Sequence, residues 1–311
     1  MNRKLLSIIT PCFNEKDNVE ELHRQIAAVM ETLPQYDWEH IYIDNASRDG
    51  TQAILRRMAA ADPKVKVILN NRNFGHIRSP YHAILQAHGD AVITLASDLQ
   101  DPPSLIPELI KKWEAGYKVA LGQKIDSDET PVFFAIRTAY YRLARKLADI
   151  ELIEHVTGFG LYDQVVVEQF RRVNDPYPYA RGLLADLGYE AACIPYHQPE
   201  RKRGISKNNF YTLYDLAMLG ITNHSKLPLR FATLIGFALS LVSLLIAVAY
   251  FVYKLLFWNN FPVGQAPVVI GLFLFSSVQL FFTGVLGEYI GAIHTQVLHR
   301  PLVIEKERIN F

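Results

Sequence analysis

Ile41-Tyr42-Ile43-Asp44-Asn45-Ala46-Ser47-Arg48-Asp49-Gly50-Thr51 runs from an apolar, β-branched triplet straight into an acidic, polar loop, and a helical pattern opens at Thr51. Such a triplet reads as the end of a strand, and Asp, Asn, Ser and Gly supply the turn that follows it. The same order recurs on either side. Residues 5–10 form an apolar run that ends in Pro11-Cys12-Phe13-Asn14-Glu15, and an amphipathic helix follows over 17–33 through Val19, Leu22, Ile26 and Val29. Beyond a helix over 51–61, residues 65–69 read as a third strand, and 78–88 as a helix that Gly89 stops. A fourth strand, 91–95, enters Ser97-Asp98-Leu99-Gln100-Asp101-Pro102-Pro103; a helix over 105–115 and a strand over 119–121 come next. Strands alternating with helices predict an α/β fold with a doubly wound, mostly parallel sheet. Ligands of such sheets bind beyond the carboxyl ends of the strands. That rule gathers Asn14-Glu15, Asp44-Asn45 and residues 98–101 on one edge.

The chain has 311 residues, half of them apolar, with 32 Lys and Arg against 31 Asp and Glu. Its 17 Phe and 16 Tyr can repay the entropy of ordering, which excludes a disordered protein. A net charge of +1 argues against a nucleic-acid binder with a basic face. The charge is unevenly spread: between Phe231 and Gly287 the only formally charged side chain is Lys254. Residues 231–253 would make a helix about 35 Å long, enough to span a hydrocarbon core. The next uncharged stretch is interrupted at Trp258-Asn259-Asn260-Phe261-Pro262, so two membrane spans are expected, near 230–256 and 266–292. Lys226 and Arg230 precede them and His299, Arg300, Lys306 and Arg308 follow, which places both termini in the cytoplasm by the positive-inside rule. The expected divisions are a soluble domain over 1–204, a juxtamembrane helical region over 205–229, the spans over 230–295 and a cytosolic tail over 296–311. The juxtamembrane region reads equally as a helix lying in the interface plane or as one packed on the domain. Glu288, at the end of the second span, is either solvated at the interface or paired with a cation. Gly271, Gly284, Gly287 and Gly291 would let helices approach closely and point to a homo-oligomer. Cys12 and Cys193 form no metal or redox spacing and read as reduced thiols. Residues 1–13 read as a first strand, not as a signal peptide.

The chemistry narrows by exclusion. The sequence holds no GxxxxGK[ST] loop, no GxGxxG after its first strand, no GxSxG and no HExxH. Carboxylates at strand ends suit a hydrated divalent cation that clamps a diphosphate, because Mg²⁺ prefers one or two carboxylates together with phosphate oxygens and water.

In order along the chain, Pro11-Cys12-Phe13-Asn14-Glu15, residues 43–51, Asn73-Phe74-Gly75, residues 97–103, Arg201-Lys202-Arg203-Gly204-Ile205-Ser206-Lys207, Pro228-Leu229-Arg230, Gly287-Glu288-Tyr289-Ile290-Gly291 and Arg300-Pro301 resemble the polyisoprenyl-phosphate glycosyltransferases. These are family 2 glycosyltransferases of the GT-A fold, related to dolichol-phosphate mannose synthase, with two C-terminal membrane helices. The resemblance covers nearly the whole chain. It implies a membrane enzyme of the bacterial plasma membrane that moves a hexose, with inversion, from a nucleotide-sugar (a UDP-sugar) to undecaprenyl phosphate, making a lipid-linked donor for cell-envelope glycans. A phosphate acceptor is already anionic, so the work is alignment and charge neutralisation more than proton abstraction. By the resemblance, Pro11, Phe13, Asn14, Glu15, Asp44, Asn45 and Ser97 hold the nucleotide. Asp98 and Gln100 hold Mg²⁺ or Mn²⁺ and, with Lys124, Arg137 and Arg201, carry catalysis. Arg137, Arg201, Ser206 and Lys207 hold the lipid phosphate.

Three positions depart from the family pattern. The usual Asp-x-Asp is Ala96-Ser97-Asp98; the usual Gly-Asp-Phe-Arg-Leu is Thr157-Gly158-Phe159-Gly160-Leu161; and Asn45 stands where Asp is expected. The general base that the second motif would supply is therefore missing, with Asp163 a nearby substitute. Alternatives are a non-catalytic or altered-acceptor relative, a polysaccharide synthase (though Gln-x-x-Arg-Trp is absent) and a small transporter.

Overall fold

The computed structural model describes residues 3–126, 156–198, 218–219, 222, 225, 227–257 and 265–311. The chain runs β1 (Lys4–Cys12), α1 (Val19–Glu31), β2 (Tyr36–Asp44), α2 (Thr51–Ala61), β3 (Val65–Asn70), α3 (Gly75–Gln86), β4 (Ala91–Thr94), α4 (Ile106–Glu114) and β5 (Val119–Asp126). Then come β6 (Val156–Asp163), α5 (Gln164–Val173), α6 (Ala180–Leu187), β7 (Ala191–His197), α7 (Leu227–Leu256), α8 (Gln265–Val297) and β8 (Glu305–Ile309). One sheet holds all of these strands in the order β7-β5-β6-β4-β1-β2-β3-β8.

β1 pairs in parallel with β2 on one side and β4 on the other, and β2 pairs in parallel with β3. The sheet therefore grows away from β1 in both directions, which opens a crevice at the carboxyl ends of β1 and β4. Alternation along the strands sends Leu6 and Ile8 to the face covered by α1 and α4, and Ile9 to the face covered by α3 and α5. Tyr42 and Leu55 join a further apolar cluster under α2. Each fully buried Leu or Ile contributes roughly 1.5–3 kcal/mol of transfer free energy.

β6 runs antiparallel between β4 and β5, so the sheet is mixed. Gly160 is needed there, because a Cβ at that position would lie 2.6 Å from the Ala120 carbonyl oxygen. The arginine of the family pattern has no room on this backbone. Within the tail expected over 296–311, residues 305–309 form β8, antiparallel to β3. Arg56 Nη2 meets Glu307 at 2.7 Å, His82 meets Glu305 at 2.6 Å, and Asn310 donates to the carbonyls of Ala59 and Val65. A strand carrying Glu305, Lys306, Glu307 and Arg308 is a polar edge that discourages further pairing.

Among the described residues one stretch, Leu227–Ile246 in α7, has the length and composition of a membrane span, with mean hydropathy 2.1 and none of its apolar window buried. α8 is longer, at 33 residues, and many of its large apolar side chains are also exposed. The Tyr289 hydroxyl near the end of α8 donates to the Ser225 carbonyl, just ahead of α7, at 2.7 Å.

Candidate active site

The three acidic loops meet at the crevice as parallel pairing requires. Each contains one non-glycine residue in the left-handed region: Asn14 (φ 59°), Ala46 (φ 61°) and Leu99 (φ 62°). Asn tolerates this conformation; for Ala46 and Leu99 such backbone costs on the order of 1–3 kcal/mol each and persists where surrounding structure enforces it.

Bonds between the first two loops hold Asn14 and the residues beside Ala46. The Asn14 amide donates to Ser47 Oγ at 2.7 Å, and Asn14 Oδ1 accepts from the Arg48 amide at 2.8 Å. The Glu15 amide donates to Thr51 Oγ1 at 3.0 Å, while the Glu15 carboxylate takes the Asn18 side-chain amide at 2.6 Å. Asp44 is fully buried and accepts from the Ser47 amide (3.0 Å) and from Gln52 Nε2 (2.7 Å). Asn45 is spent completely: Nδ2 donates to Asn73 Oδ1 (2.9 Å) and the Gly75 carbonyl (3.0 Å), and Oδ1 accepts from the Phe74 amide (2.8 Å) and Asn70 Nδ2 (3.2 Å). An amide side chain has two donors and two acceptor positions, and all four are used. Glu15, Asp44 and Asn45 thus build the floor, leaving Pro11, Phe13, exposed Asn14 and Ser47 accessible around it.

At the β4 end, Ser97 is buried and Asp98, Leu99 and Gln100 are partly exposed. Asp98 Oδ1 accepts the Gln100 amide at 3.2 Å. Asp101 lies beneath, 5% exposed, with its oxygens on the Ala96 amide (3.0 Å) and the Tyr196 hydroxyl (3.0 Å). Burial raises its pKa to about 6, the charge of Asp98 adds to this, and Lys124 opposes it. Between the ordinary carboxyl value and about 6 the folded state keeps a proton that the unfolded state has lost, so this group's contribution to stability falls as pH rises through that window. The component is about 2–3 kcal/mol. Thermal melts between pH 4 and 7 are expected to lose it in Asp101→Asn.

Across the crevice, the Thr94 hydroxyl donates to the Gly158 carbonyl. Asp163 sits at the other end of β6, opposite Ala91, and caps α5 while bonding Trp113 Nε1 (2.7 Å) and Lys118 Nζ (2.9 Å). It is on the wrong edge of the sheet to serve as a base, which corrects the expectation from proximity in sequence. Arg137, Arg201, Ser206 and Lys207 lie outside the described residues.

The model of the family described as glycosyl transferase family 2 matches residues 7–170. Over 304 residues the chain is 34% identical to the bactoprenol glucosyl transferase of Shigella phage SfV, covering 97% of this chain and 98% of the relative. The chain belongs to glycosyl transferase family 2. A prophage bactoprenol glucosyl transferase homolog of Escherichia coli is 31% identical over 303 residues, covering 97% of this chain and 98% of that one. A crystal structure of glucosyl-3-phosphoglycerate synthase from Mycobacterium tuberculosis, in complex with Mn²⁺, UDP and phosphoglyceric acid, superposes with a TM-score of 0.50 at 16% identity, covering 70% of this chain and 76% of that one. That likeness shows the GT-A fold.

Gly158 of the transferase stands where the resemblance implies Asp, and its backbone favours the glycine. Gly158 has φ 100°, where L side chains are strained. Gly158→Asp, which writes in the family's usual residue, is expected to cost about 1–3 kcal/mol without raising the rate of sugar transfer, as read by thermal melts and initial rates. Among the described residues no group of three or more His, Cys, Asp or Glu could hold a metal by itself. The donor set of the transferase fits a cation that arrives with a diphosphate: Asp98 offers a partly exposed carboxylate and Gln100 lies beside it, while Ala96 offers nothing.

Proposed function

We propose that this transferase moves a hexose from a UDP-sugar to a polyprenyl phosphate, with inversion, and that glucose is the sugar to test first. The full-length likeness carries this reading: relatives named bactoprenol glucosyl transferases align over 97% of the chain. Asp98 and Gln100 would hold a Mg²⁺ or Mn²⁺ ion brought by the donor, which supplies positive charge to the departing diphosphate. Pro11, Phe13, Asn14, Ser47 and Ser97 would line the nucleotide above Glu15, Asp44 and Asn45, and Lys124, whose charge acts on Asp101, would add positive charge at the β4 end. Arg137, Arg201, Ser206 and Lys207 would bind the acceptor phosphate through charge-assisted hydrogen bonds. No carboxylate at position 158 is needed, because the nucleophile is a phosphate oxygen that is already ionised.

The proposal includes a two-span anchor in the bacterial plasma membrane, with the catalytic domain and both termini in the cytoplasm. In its favour, β8 returns to the sheet after α8, and Tyr289 meets Ser225 ahead of α7, so the chain leaves and re-enters the domain on one side. It also includes a homo-oligomer packed through Gly271 and Gly284, where a Cβ would meet open space. The sugar assignment is tested by incubating the purified protein with undecaprenyl phosphate and a panel of nucleotide-sugars, followed by mass spectrometry of the lipid extract. A hexosyl-undecaprenyl phosphate from UDP-glucose, with the anomeric configuration opposite to the donor, is expected. Product from a GDP-sugar alone would overturn the donor assignment.

A further inference from the structure

A second recess lies away from the nucleotide crevice, where α8 meets the soluble domain. It is a cavity of about 400 Å³, lined among others by Arg78, Tyr177, Thr222, Glu288, Gly291 and Gln296. That volume is within the range of small-ligand sites. Arg78 comes from the first turn of α3, and its guanidinium stacks over the Tyr177 ring with 5.0 Å to the centroid. Its Nε is buried without a hydrogen-bond partner. A buried donor left unsatisfied is costly, and a planar guanidinium suits the recognition of an oxyanion. Gln296 Nε2 bonds Asp175 at 2.9 Å, which fixes the α8 wall against the domain.

Position ties the cavity to the crevice. α3 begins at Gly75, whose carbonyl is held by Asn45 at the β2 end, so Arg78 is one helical turn from the active edge.

Granting the lipid-phosphate transferase proposed above, we infer that this cavity is where the polyprenyl phosphate enters from the bilayer, with Arg78 as a phosphate-binding residue. Glu288 adds a carboxylate to the lining that opposes an anion, which gives the test opposite signs at two walls. In phosphatidylcholine nanodiscs, Arg78→Gln is expected to raise the KM for undecaprenyl phosphate about ten- to a hundredfold, the usual loss of a charge-assisted hydrogen bond, with the KM for the donor unchanged. Glu288→Gln is expected to lower the acceptor KM. Gly291→Leu, whose added side chain would meet open space and improves helix propensity, is expected to fill the cavity and raise the acceptor KM with the protein still folded. An unchanged acceptor KM in Arg78→Gln, or a rise in Glu288→Gln equal to that in Arg78→Gln, overturns the assignment while leaving the transferase intact. An Arg78→Gln effect confined to discs containing phosphatidylglycerol would assign the cavity to a bulk phospholipid and also overturn it. Wild-type protein that glycosylates no polyprenyl phosphate would remove the transferase reading first, and the cavity's role with it.

Discussion

Asp98→Ala is expected to reduce kcat for sugar transfer on the order of a hundredfold to a thousandfold, the range seen when charge stabilisation of a transition state is removed. Among the described residues no neighbour on this loop replaces the lost carboxylate. Ala96 has no ligand atom, and Asp101 is buried with both oxygens engaged by the Ala96 amide and the Tyr196 hydroxyl. Asp98 itself bonds the Gln100 amide at 3.2 Å, on a partly exposed loop, so the melting temperature should move little. Initial rates at saturating Mg²⁺ and donor, with a melt as the folding control, decide the matter. Turnover within a few-fold of wild type would show that Asp98 does not hold the cation.

The second large effect is one of stability, and it comes from writing a family residue into this chain. Asn45→Asp exchanges a side-chain amide for a carboxylate that faces Asn73 Oδ1 and the Gly75 carbonyl, two acceptors that Nδ2 now satisfies. Two acceptors lose their donor and a charge is buried beside them, at a cost of about 3–5 kcal/mol. For a domain of this size that is a fall in melting temperature of about 6–20 °C. Because Asn45 braces residues 73–75, which start α3, donor binding is expected to weaken only in step with unfolding. A variant that melts like wild type but binds UDP less tightly would show that position 45 reads the nucleotide directly.

These two residues also mark what the sequence could disclose. The first four strands and helices were legible because each apolar run ends in a polar turn: the pattern places a helix over residues 51–61, and α2 spans Thr51–Ala61. The edge carrying the site followed from parallel order alone. What the side chains do there did not follow. Asp44, Asn45 and Glu15, expected at the nucleotide from residue type, are also buried and hydrogen-bonded within the loops, a second role that residue type does not disclose. Periodicity cannot separate a carboxylate that meets a ligand from one that meets a backbone amide.

β6 escaped the pattern because Gly158 and Gly160 interrupt its alternation, and both are required by geometry: one by its φ, the other by the nearness of Ala120. β8 escaped because Glu305-Lys306-Glu307-Arg308 carries no apolar alternation, although an edge strand needs one half-buried side and tolerates charge on the other. Arg78 carries no sequence signal at all. Only the packing of α8 against the domain reveals it as a half-buried cation, its Nε without a partner, on a cavity wall.

The most direct measurement is the transfer of radiolabel from UDP-glucose into the organic phase by the purified full-length protein, with and without undecaprenyl phosphate, and with Mg²⁺ or EDTA. The predicted result is lipid-phase label that requires the added lipid phosphate and disappears with EDTA. Measurable UDP binding with no lipid label from any nucleotide-sugar would contradict a lipid-phosphate transferase.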